Sequence, residues 1–160
     1  MSNVVLRDVT PDDAELAAEF IIELATYERL LDETRPEVER LRKDLDSAAD
    51  PRLYGIFAEV DGAPVGFAAY YLAYSTNRTA WSIHLQDIFV RESHRGQRIG
   101  AHLIRALAEV AKRHGYEAVE LEVLTWNDGA REFYESHGFT VNRETDKMYL
   151  EGDALTKAAL

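Results

Sequence analysis

The chain has 160 residues, 46% of them hydrophobic, and a formal charge of −11 from 18 basic and 29 acidic residues. That length supports one domain spanning residues 1–160 around a single core, while the acidity disfavours nucleic acid as a partner and favours cations. With no cysteine, disulfides, thiolate metal sites and a cysteine nucleophile are excluded together. No stretch approaches the roughly 18 apolar residues of a membrane span, and the start "MSNVVLRDVTPDD" lacks the layout of a secretory signal, so a cytoplasmic protein with no membrane partner is expected.

"VVLRDV" reads as a short first strand. Thr10, Pro11 and Asp13 then mark a helix start by cap, first-turn proline and capping acid, and Leu16, Phe20, Leu24 and Leu31 continue its apolar face. A second helix is announced by Thr34 and Glu37 in the same relation, with Val38, Leu41 and Leu45 at helical spacing and Pro51 beyond its end. "YGIFAEV" and "VGFAAYYLAY" are two β-rich runs joined by an Asp-Gly turn, which predicts an antiparallel hairpin. "WSIHLQDIFV" is the third strand of the group. Ile99, Leu103, Leu107 and Ala111 predict a helix that ends with Arg113, His114 and Gly115. Strand "AVELEVLTW", a helix in "DGAREFYESHGF", and two weaker strands at "TVN" and "KMYL" complete the chain. The order β-α-α-β-β-β-α-β-α-β-β implies an α/β (mixed α+β) fold, a mixed, mostly antiparallel sheet flanked by about four helices.

The segment "HRGQRIGAHL", residues 94–103, carries glycines at 96 and 100 and runs from a strand into a helix start. Backbone N–H groups at such a start, backed by the helix dipole, suit a phosphate, and Arg95 and Arg98 add charge beside them. The spacing fits neither the P-loop nor the dinucleotide fingerprint, which disfavours ATP and NAD. "FVRESHRGQRIGAHLI" contains R-G-x-x-I-G after a strand ending in Phe-Val and resembles the acetyl-CoA pyrophosphate loop of the GNAT superfamily, usually [RQ]-x-x-G-x-[GA]. Arg98 stands where the first glycine of that loop usually sits. "WNDGAREFYESHGF" resembles the family segment N-x-x-A-x-x-F-Y-x-x-x-G-F, with Asn127, Ala130, Phe133, Tyr134, Gly138 and Phe139 in its places.

Across nearly the whole chain the resemblance narrows to the spermidine/spermine and thialysine N-acetyltransferase group, through "ELATYERL", "VGFAAYYLAYS" and "LQDIFV". It implies a GNAT-like fold and transfer of acetyl from acetyl-CoA, as co-substrate and without a metal, to a primary amine of a polyamine or of a lysine-like molecule. By the same resemblance Ile88, Phe89 and Val90 bind the thioester end. Arg95, Gly96, Gln97, Arg98, Ile99, Gly100 and Ala101 hold the pyrophosphate, with Asn127 a further cofactor contact. Tyr134 lies near the sulfur and is the expected general acid, its hydroxyl having a pKa of about 10. Tyr27, Glu28, Gln86, Asp87 and Asp146 are the expected acceptor-side residues, and a homodimer is implied.

Gln86 occupies the position of the group's usual glutamate and cannot act as a base. The amine, with a pKa near 10, must still lose its proton before attack. Glu28, Asp87 and His84 remain as candidates, and strand alternation predicts His84 on the face of Gln86. Two other functions stay open: acetylation of a protein amine, and a non-catalytic acyl-CoA-binding module, which would have no use for Tyr134.

Overall fold

The computed structural model describes residues 3–46, 48 and 50–159. The chain divides into two compact units, residues 1–124 and 125–160. In the first, five strands form one sheet in the order β1 (Val4–Asp8), β2 (Tyr54–Val60), β3 (Ala63–Ser75), β4 (Ala80–Val90) and β5 (Ala118–Leu121). The first three pairings are antiparallel, and β4 pairs with β5 in parallel. Helices α1 (Ala14–Tyr27) and α2 (Val38–Asp44) connect β1 to β2, and α3 (Ile99–His114) connects β4 to β5, as a parallel crossover requires.

The Asp-Gly hairpin forms as expected. Asp61 and Gly62 both take positive φ, 52° and 79°, the requirement of a tight two-residue turn between paired Val60 and Ala63. The Thr10 signal also holds, through a 3-10 turn over Pro11–Asp13 in which the Thr10 N–H donates to Asp13 Oδ2 at 2.8 Å. The second signal does not: Thr34 ends a 3-10 turn, Leu31–Glu33, and its hydroxyl donates to the Leu30 carbonyl. That local bond removes the side chain from capping α2, which starts after Glu37 without a side-chain cap. Leu31 lies beyond the end of α1 and is exposed, so the apolar face predicted for that helix stops at Leu24.

Helix α1 covers one face of the sheet. Phe20 is fully buried with its ring centroid 5.5 Å from Phe57, 5.6 Å from Phe67 and 6.4 Å from Phe89, in a cluster that includes Leu24, Ala69 and Val9. Four aromatic rings in one cluster make this layer intolerant of truncation; Phe20→Ala would cost about 3–5 kcal/mol. Helix α3 covers the other face through Ile99, Leu103 and Leu107. It sits so close that a Cβ on Gly66 would lie 2.9 Å from Ile99 Cγ2. Arg91, just past β4, holds α1 to the sheet: its guanidinium chelates Glu23, donates to the Pro64 carbonyl and lies 4.3 Å above the Phe20 ring.

Strand β4 contains an irregularity that the sequence did not announce. Ala69 pairs with Asp87 but Tyr70 pairs with Leu85, so Gln86 is an extra residue on β4. Following the register, Phe89 and Asp87 lie on the α1 face with Phe67 and Ala69, whereas Leu85 and Ile83 lie on the α3 face with Tyr70 and Leu72. The bulge therefore switches the alternation of the strand in its middle.

The second unit, described by itself, contains α4 (Asp128–Ser136) and α5 (Gly152–Ala158). The strands expected at "TVN" and "KMYL" are absent among the described residues: 140–150 have no regular structure, and Met148, Tyr149 and Leu150 are exposed. Apolar composition gives a strand only with a neighbour to share its hydrogen bonds, and none pairs with this stretch. Sequence reasoning missed α5. It is built from helix-forming Ala, Leu and Lys, with Asp153 in the first turn and Lys157 in the last, both favourable to the dipole. The expected terminal β-β is thus replaced by a fifth helix, and "AVELEVLTW" forms a strand only over Ala118–Leu121.

Candidate functional site

The end of β4 has an open edge. Its ladder with β3 continues to Gly66↔Val90, but its ladder with β5 stops at Leu85↔Leu121. The Gln86 bulge lies where β5 leaves, so the segment 86–90 turns one backbone edge away from the sheet. Ile88, Phe89 and Val90, expected at the thioester, all fall within it.

Asp87 lies on the α1 side of this segment. It has no hydrogen bond or ion pair to a described side chain, and burial pushes its carboxyl up to about 6. Glu28 is the C-cap of α1, fixed by a Schellman-type ending in which Leu30 N–H donates to the Ala25 carbonyl at 2.8 Å and Arg29 adopts φ 61°. Arginine in a left-handed conformation costs about 1 kcal/mol, so this turn is held at a small expense in strain. Burial raises the Glu28 pKa first, and the Asp87 charge adds to it. Two carboxylates from distant parts of the chain thus sense each other in a partly dehydrated place, an arrangement that holds a cation and exchanges protons. Tyr27 brackets the site from α1, its ring 6.5 Å from Phe89.

Gln86, the bulge residue, is exposed. His84 shares the α1 face with Asp87 by register, but its ring is stacked 4.6 Å from Tyr71 and its Nδ1 lies 3.6 Å from Glu120 Oε1. These contacts tie His84 to β3 and β5. Of the three candidates for a base, Glu28 and Asp87 are brought together and His84 is engaged elsewhere.

The loop after β4 passes through a 3-10 turn, Glu92–His94, and enters α3. Gly96 has φ 79° with open space where a Cβ would stand, and Arg98 caps the helix in the left-handed region at φ 62°. Arg98 therefore takes the conformation for which glycine is favoured at that position. The first intrahelical bond is His102 N–H to the Arg98 carbonyl, so the N–H groups of Ile99, Gly100 and Ala101 precede the ladder and point out of the helix start. Residues 95–98 are exposed. The donor set fits a phosphate. Arg95 does not point freely into this space; its Nε donates to the Val90 carbonyl at 3.0 Å.

In the second unit Asn127 is buried and caps α4, accepting from Ala130 N–H at 3.1 Å. Tyr134 packs edge-on to Phe133 and Phe139, at 5.4 and 5.6 Å. Asp146 is exposed in the irregular stretch. The expected site residues are therefore shared between the units, with Tyr27, Glu28 and 86–101 in the first and Asn127, Tyr134 and Asp146 in the second. Sequence reasoning missed Arg91 and Glu23, which join α1 to the end of β4. They are 68 residues apart, beyond any local pattern. Among the described residues no group of three or more His, Asp or Glu side chains is placed to hold a metal ion, and no helix is long and apolar enough to cross a membrane.

Residues 19–139 match the acetyltransferase (GNAT) family. The thialysine N-epsilon-acetyltransferase of Sus scrofa is 34% identical over 170 residues, covering 99% of both chains. That of Caenorhabditis elegans is 30% identical over 162 residues, with the same coverage. Among solved structures, an integron cassette protein from the mobile metagenome of V. cholerae superposes with a TM-score of 0.80 at 26% identity, covering 99% of this chain and 98% of that one.

Proposed function

The chain belongs to the GNAT family of acetyltransferases, and from that premise we propose that it acetylates a primary amine of a small, lysine-like or polyamine molecule using acetyl-CoA. The observation that carries the reading is the Glu28–Asp87 pair at the open end of β4, where Asp87 is raised to about 6. A family likeness to thialysine acetyltransferases over the full chain supports an amine of that size. The 160 residues act as one acetyltransferase domain.

Acetyl-CoA supplies the activated acetyl group as a thioester. The N–H groups of Gly96 through Ala101 bind its pyrophosphate, and a backbone N–H near Phe89 or Val90 meets the thioester carbonyl. Glu28 holds the ammonium form of the acceptor. Asp87, its basicity increased by burial, receives the proton that the nitrogen must lose. The N–C bond then forms as the C–S bond breaks, the Tyr134 hydroxyl gives its proton to the departing sulfur, and the second proton that the acylated nitrogen releases restores the tyrosine hydroxyl. Asp87 stands one residue from the position where Gln86 replaces the glutamate of the related group, so a carboxylate remains available beside a neutral amide. Gln86 and Asp146 complete the acceptor side, and Asn127 the cofactor side.

The test is turnover with acetyl-CoA against thialysine, lysine, spermidine, a simple monoamine and a lysine-containing peptide. Fast turnover of a free amine with little of the peptide is the expected result; preference for the peptide would move the reading to a protein amine. Binding of acetyl-CoA with no turnover of any amine would leave only a binding module. The reading extends to a cytoplasmic homodimer, for which cell fractionation and light scattering are the measurements.

A further inference from the structure

Arg95 leads the R-G-x-x-I-G segment, where a cation is expected to face a phosphate, yet its guanidinium lies 4.9 Å from the Tyr27 ring centroid and 5.5 Å from that of Phe89. Its Nε donates to the Val90 carbonyl at 3.0 Å, and it forms no ion pair with a described carboxylate. Tyr27 and Phe89 are themselves 6.5 Å apart. The three side chains thus join the last residue of α1, the end of β4 and the first residue of the loop.

Tyr27 is 46% exposed and sits where α1 ends. Phe89 gives its ring one neighbour; the guanidinium gives the second and restricts its rotation. A planar guanidinium can lie over an aromatic ring while one N–H serves a carbonyl, which a lysine ammonium does less well. Tyr27 directly precedes Glu28, whose carboxylate senses Asp87.

We propose that Arg95 is a positioning residue for the acceptor: by holding Tyr27 against the end of β4 it sets how well the amine binds, from within the loop that receives the cofactor. The proposal rests on the acetyltransferase reading of the same site. It makes the loop and the acceptor side mechanically one piece, so that a change at Arg95 is felt by the amine even when acetyl-CoA is saturating.

The test uses Arg95→Met, Arg95→Lys, Tyr27→Leu and the double variant Arg95→Met/Tyr27→Leu. At saturating acetyl-CoA, Arg95→Met and Tyr27→Leu should each raise KM for the amine about two- to fivefold, the range of a part-exposed cation–π contact, with kcat changed less. The double variant should be no worse than the weaker single variant, and Arg95→Lys should recover part of the loss. Urea unfolding of the same four proteins reads the contact without activity and should show the same non-additivity. Additive effects on KM overturn the proposal, as does a variant in which only the KM for acetyl-CoA rises. Additive unfolding midpoints overturn the contact itself. A wild-type protein that acetylates no amine while its unfolding cycle stays non-additive overturns the functional reading, and the acceptor role with it, leaving the contact standing.

Discussion

Replacing Asp87 with asparagine should make the protein more stable at neutral pH and less active. Burial raises this carboxyl from its ordinary 3.8 to about 6. Between these values the folded chain holds a proton that the unfolded chain has released, so stability falls as pH rises from about 4 to 6 and is level on either side. The whole loss is about 3 kcal/mol at pH 7, an upper value because the group keeps some exposure. Asparagine has nearly the same shape and no charge to dehydrate. Asp87→Asn should therefore match the wild type at pH 4 and exceed it at pH 7 by up to about 3 kcal/mol, measured by urea unfolding at several pH values. The variant also removes the repulsion on Glu28, whose pKa should return toward the ordinary range. In the transfer reaction, followed by the release of free CoA thiol, kcat should fall about 10²- to 10⁴-fold, the usual contribution of a positioned base. The limb of the wild-type pH profile that rises near pH 6 should vanish. Parallel stability curves for the two proteins would refute the burial argument, and an unchanged kcat would refute the role of Asp87 as base.

Tyr134→Phe should lower kcat about 10²- to 10⁴-fold with little change in KM for acetyl-CoA, since only the acid of the transition state is removed; steady-state kinetics in both substrates gives the answer. Arg98→Gly should raise stability by about 0.5–1 kcal/mol, because φ 62° suits glycine and strains arginine, and chemical denaturation measures it. Gln86→Glu should improve kcat/KM for spermidine over a monoamine by about two- to fivefold at low salt; the side chain is exposed, so the gain should fade at high salt. Equal changes on both amines would show that position 86 does not read the acceptor.

Elements with a strong local signal were legible in the sequence. The Asp-Gly hairpin, the apolar face Ile99, Leu103, Leu107 and Ala111, and the Gly115 ending of α3 each follow from spacing or turn chemistry within a few residues. Thr34 was misread because one hydroxyl can serve a preceding carbonyl or a following N–H, and composition does not choose between them. "KMYL" was misread because a strand is a property of two chains side by side. The loop's run into a helix start was legible in the sequence, but the contacts of Arg95 with Tyr27 and Phe89 were not. Residue 27 is too distant in sequence for any pattern to suggest that contact. The high pKa of Asp87 was hidden for a similar reason, since it depends on how much water the fold removes.

The extra residue at 86 gives β4 two frames of meaning. Up to Leu85 the odd positions serve the α3 layer; from Asp87 onward they serve the α1 layer. Presence and identity at position 86 are therefore separate properties. Changing the side chain alters what an amine meets, whereas deleting the residue would set Asp87 beside Leu85 in plain alternation, still opposite Ala69 and Tyr70, so that both layers are kept and only the bulge with its local twist is lost. A β4 compared with that of another member of this fold must be aligned by its pairing with β3, since strand comparisons that count only alternation will pair the wrong halves.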